Sequence, residues 1–142
     1  MTPLQLQAIT SEVVHITGAD GYALVAHDGH AVNRLKDLHG THIVAVYPTT
    51  SFTDDDADFA QRISTHYLFV LEKDDAGQTL ENEIDQYQQL YEKAVKIVDH
   101  LTGADSSAPC QQFPNLALSR LNIEPEYRIF GGWNGYSLSF TL

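Results

Sequence analysis

The sequence predicts an α+β fold: an antiparallel or mixed sheet of about four to six strands, with two main helices packed on one face. Three observations predict it. Apolar residues recur at helical spacing near the start of the chain and again over residues 79–101. β-branched and aromatic runs fill residues 42–47 and 63–72. The last seven residues alternate apolar and polar, as a half-buried strand does. Strands joined by short turns favour antiparallel pairing, which leaves the helices to cover one face.

The first helix is expected over residues 3–17. Thr2 supplies an N-cap hydroxyl, Pro3 sits where its missing N–H costs nothing, and Leu6, Ile9, Val13 and Ile16 form one stripe before Gly18. Residues 22–26 read as a short strand, and residues 27–40 as mixed, with an Asp28-Gly29 turn. Residues 42–47 read as a strand that Pro48 stops. An acidic loop follows over residues 52–58. Residues 63–72 are the strongest strand, apolar on both faces and therefore central. Thr79 caps the long helix, whose buried stripe is expected to be Ile84, Tyr87, Tyr91, Val95, Val98 and Leu101, with Gly103 as its stop. Residues 103–115 read as a connector, and residues 126–142 as a hairpin turning through Gly131 to Gly135.

At 142 residues and 43% apolar content, the chain suits one domain with its own core, over residues 1–142. The balance of 19 acidic against 8 basic residues gives a net charge of −11, which repels phosphate backbones and anionic lipid. Neither nucleic acid nor a membrane is expected as a partner. The single cysteine, Cys110, excludes an intrachain disulfide. The first residues carry no positive region and no long apolar run, so no signal peptide is expected and the expected compartment is the cytoplasm.

No constellation of catalytic residues stands out, and no cofactor is expected. His27-x-x-His30 and His39-x-x-His42 each offer two ligands at most, whereas zinc needs three or four that converge. Asp54, Asp56 and Asp58 resemble the start of a calcium loop, but Phe59 and Thr65 stand where that loop needs glycine and glutamate. A solvated acidic loop is the stronger reading. In the segment Gly131-Gly132-Trp133-Asn134-Gly135-Tyr136, a glycine-dependent turn is favoured. The functional alternative makes Trp133 and Tyr136 anchors for a protein partner.

The order of opening helix, strands at 42–47 and 63–71, capped long helix and terminal alternation over 136–142 resembles the tail terminator and tail-completion proteins of long-tailed phages. The stretch from Asn134 to Phe140 is also similar to the ends of Bacteroidetes prophage proteins. The resemblance implies a non-enzymatic structural protein that self-associates, often as a hexameric ring, and meets other tail proteins in a virion or tail-like particle. The competing expectations are a small cytoplasmic protein-binding or regulatory module and, less favoured, a metal-binding protein or enzyme using the histidines or the Asp54–Asp58 cluster.

Overall fold

The computed structural model describes residues 1–104, 113 and 116–142; Cys110 and most of the 103–115 connector lie outside the described residues. Helix α1 spans Pro3–Thr17. The Thr2 hydroxyl accepts from the Gln5 N–H at 3.2 Å and the Gln5 side chain accepts from the Thr2 N–H at 2.8 Å, a reciprocal cap that satisfies two otherwise orphaned donors. Strand β1 (Gly21–Val25), helix α2 (Asp28–Leu35), strands β2 (Thr41–Phe52) and β3 (Arg62–Lys73), helix α3 (Leu80–Thr102) and strands β4 (Asn122–Ile129) and β5 (Trp133–Thr141) follow, with a 3-10 turn at Leu118–Arg120 before β4.

The strands form one mixed sheet in the order β1-β2-β3-β5-β4. β1 runs parallel to β2, and every other pair is antiparallel. As expected, the two long helices share one face. Leu6 and Val13 of α1 and Leu90, Ala94, Ile97 and Leu101 of α3 bury against Ile43, Ala45, Leu68, Val70, Leu138 and Phe140.

Three local expectations are corrected. Residues 28–35 are helical, because a parallel crossover from β1 to β2 needs a connecting element. That helix covers the other face, where Ala31 and Leu35 pack with Ala23, Val25, Val44, Leu71 and Trp133 in a second core. Pro48 does not end β2. It lies within a register shift between Val46 and Thr49, where the ladder asks nothing of its missing N–H, and pairing with β3 resumes through Phe52. Finally, α3 buries Leu90, Ala94, Ile97 and Leu101, whereas Ile84 and Tyr91 stay 58% and 45% exposed.

Candidate functional site

The side chains that α3 leaves outside form a cleft on the surface. Lys93 donates to the Thr17 carbonyl at 2.6 Å, and His100 meets Glu12 at 3.3 Å, so α1 lies along the later half of α3. At ~1.5 Å per residue, a 23-residue helix outruns a 15-residue one by roughly 12 Å. The first turns of α3 therefore extend beyond α1, over β5 and the end of β3.

There Glu83, Ile84, Tyr87, Gln88, Tyr91 and Tyr136 line a cleft of about 490 Å³. Tyr136 meets Tyr87 edge-on with ring centroids 5.8 Å apart, and Tyr91 at 5.5 Å. The Tyr87 hydroxyl donates to the Glu126 carbonyl at 2.5 Å, fixing its ring against β4. Burial, then the Glu83 carboxylate and other neighbouring groups, push this hydroxyl up to about 12, so it remains a protonated donor. On the same face of β4, Ile123 and Pro125 stand opposite Leu138 and Tyr136, and Tyr127 is exposed beside them. Among the described residues no strand pairs with the outer edge of β4.

A polar network holds the hairpin that carries half of this cleft. Buried Asn134 accepts from the Arg128 N–H at 2.8 Å and donates to Asp74 at 2.9 Å and Gln86 at 3.3 Å. Gln86 in turn donates to Glu72 and to the Lys73 carbonyl, each at 3.3 Å. Arg128 pairs with Asp74 at 2.7 Å. Arg128 and Phe130 both sit at positive φ, a strained choice for residues with a Cβ that the network and the following glycines hold in place.

The two proposed anchors part company. Tyr136 is half-buried in the cleft, but Trp133 is only 1% exposed and lies under α2 with its ring edge-on to His42 at 5.6 Å. Trp133 therefore fills the second core. The histidines are spread over separate jobs. His27 caps α2, accepting from the His30 N–H at 3.3 Å, while His30 lies against the Ala26 N–H and the Arg34 guanidinium. His39 is exposed and His42 buried. Asp54 and Asp56 use their carboxylates to accept the N–H groups of Asp56 and Asp58, both at 3.0 Å, which folds the β2–β3 loop on itself. Among the described residues, no group of three His, Cys, Asp or Glu side chains is placed to hold a metal. No helix among them is long and apolar enough to cross a membrane.

Sequence reasoning missed the cleft because Ile84, Tyr87 and Tyr91 repeat at helical spacing, the same signal that a core stripe gives. Gln86, Leu90, Ala94 and Ile97 carry that signal on the neighbouring face, and it is their face that the sheet takes. Rigid tyrosine rings around a cleft are suited to contact with another protein, since they bring large apolar area and a polar tip at low conformational cost.

Against known proteins, the chain matches no family model and no curated sequence.

Proposed function

We propose that the chain is a non-enzymatic assembly protein that joins copies of itself head to tail into a closed ring, in the manner of the tail terminators it resembles. The observation that carries the reading is the exposed tyrosine cleft at the free edge of β4. Its rim is acidic, with Glu81 and Glu83 in the first turn of α3. At the opposite edge of the sheet Tyr22, Leu38, Tyr47 and the cationic Arg34 border a hollow of about 440 Å³ beside β1.

Strand direction supports the same arrangement. β4 runs opposite to β1, so a rotation about an axis along the strands sets the β4 edge of one copy alongside the β1 edge of the next, in contact through side chains, since Glu124, Pro125 and Glu126 leave the β4 edge unsuited to backbone pairing. Such an interface is heterologous, and it closes into a ring when the rotation divides a full turn. A stable contact of this kind buries roughly 800 Å² on each partner. On this reading other tail proteins meet the ring, and the acidic surface outside the joints stays solvated.

The test is photocrosslinking from β4 beside the cleft. With a photoreactive phenylalanine in place of Tyr127, the reading predicts adducts between copies whose second site lies in β1 or α2. Adducts confined to single chains contradict it.

A further inference from the structure

A second surface, separate from the cleft, lies on the arm formed by the ends of β2 and β3. β1 covers only His42–Val46 of β2, while β2 continues to Phe52 against β3. From Thr49 to Phe52 all four side chains are exposed, and among the described residues no strand pairs with the outer edge there. The Thr53 N–H donates inward to the Gln61 carbonyl at 3.1 Å. Backbone direction alternates along a strand, so Thr50 and Phe52 turn their N–H and C=O groups outward.

Free edges invite strand addition, and proteins usually blunt them with charge or proline. β4 is blunted in this way by Glu124, Pro125 and Glu126. The outer run of β2 has no charge from Tyr47 to Thr53, and its one proline, Pro48, lies before the free stretch. Phe52 within the run and Phe59 in the loop beyond it are 66% and 76% exposed. The tip just beyond adds Asp54, Asp55, Asp56 and Asp58, against Arg62 alone.

We propose that the outer edge of β2 at Thr49, Thr50, Ser51 and Phe52 takes up a basic extended segment of another protein as an added strand, held by backbone hydrogen bonds, by Phe52 and Phe59, and by the carboxylates of the tip. Charge selects the occupant. A second copy of this chain has 19 acidic residues against 8 basic ones and its Lys and Arg stand singly in the sequence, so it offers no basic strand, and the cleft of a neighbouring copy is also rimmed by glutamates. A lysine- or arginine-bearing strand meets both the open edge and the negative tip.

The probe is a synthetic hexapeptide of alternating lysine and valine, titrated into the full ¹⁵N-labelled chain, with the glutamate–valine counterpart as control. The lysine peptide is expected to shift amides of residues 49–61 and to slow exchange of the Thr50 and Phe52 amides at least tenfold, while the glutamate peptide does neither. Thr50→Pro removes an N–H that the native ladder does not use, so its spectrum away from the arm should persist while affinity falls tenfold or more. Asp55→Asn with Asp58→Asn, whose carboxylates accept none of the backbone bonds that fold the loop, should weaken binding several-fold and flatten its salt dependence. Equal binding of the two peptides, undiminished binding by Thr50→Pro, shifts centred elsewhere, or no binding of the lysine peptide each overturns the proposal. None of these outcomes depends on whether the chain forms rings.

Discussion

The fully buried side chain of Asn134 donates to Asp74 Oδ1 at 2.9 Å, tying the start of β5 to the end of β3. The backbone repeats the tie, since the Asp74 N–H donates to the Gly132 carbonyl at 2.7 Å. Through Asn134 the glycine turn, the Arg128 backbone and Gln86 of α3 become one unit, and the cleft is built on it. Asn134→Leu leaves the Arg128 N–H without its acceptor and Gln86 short of a donor. Chemical denaturation should show a loss of about 2–3 kcal/mol.

At Gly135 the backbone of β5 leaves no room for a side chain against β3. A Cβ built there stands 2.0 Å from the Val70 carbonyl oxygen, a fixed atom of the central strand. Gly135→Ala must separate β5 from β3 locally, and should cost at least about 2 kcal/mol in the same assay. An unchanged midpoint would mean that the hairpin can shift without loss.

His66 gives the fold a pH dependence. It is buried on the α1–α3 face, stacked on Phe140 with centroids 5.1 Å apart, and neither ring nitrogen has a hydrogen-bond partner among the described residues. Burial, reinforced by the Met1 amine, lowers its pKa from 6.5 to about 4. Between those values the unfolded chain binds a proton that the folded one refuses. Stability from the neutral ring is therefore complete above pH 6.5 and drains away as pH falls toward 4, by on the order of 2–3 kcal/mol. His66→Leu should remove that share of the acid sensitivity, measured as the difference between wild-type and variant unfolding curves across this range. Parallel pH profiles would count against it.

The two faces of α3 should answer mutation differently. Ile97 is fully buried, and Ile97→Ala should cost about 2–5 kcal/mol. Ile84 lies on the cleft, and Ile84→Asp should leave monomer stability within about 0.5 kcal/mol. Comparable losses at both positions would return the cleft residues to the core.

Much of the frame was legible because local chemistry and tertiary structure agree. Thr2, Gly18, Thr79 and Gly103 bound α1 and α3 where the sequence places them, since caps act within a turn of their own residue. The alternation in β5 and the two apolar faces of β3 identified strands whose burial is set by the sheet itself. What failed to show depends on distant partners. α2 was hidden by an Asp-Gly pair that reads as a turn, although Ala31 and Leu35, four apart, supply its buried side. Pro48 reads as a stop unless the bulge is known. Of the two anchors, Tyr136 reached the cleft and Trp133 the second core. They lie three apart on one unbroken strand, so alternation puts them on opposite faces, but the sequence reading began that strand at Tyr136 and left Trp133 in the glycine turn.

The central claim is that the tyrosine cleft joins copies of this chain. The most direct measurement is solution mass by light scattering coupled to size exclusion, over a wide concentration range, for the wild type and for Ile84→Asp. The account predicts that the wild type runs as one discrete multiple of the chain mass, six copies on the terminator reading, and that Ile84→Asp runs as a folded monomer. A wild type that stays at the mass of one chain at every concentration, or an oligomer that Ile84→Asp leaves intact, would contradict it.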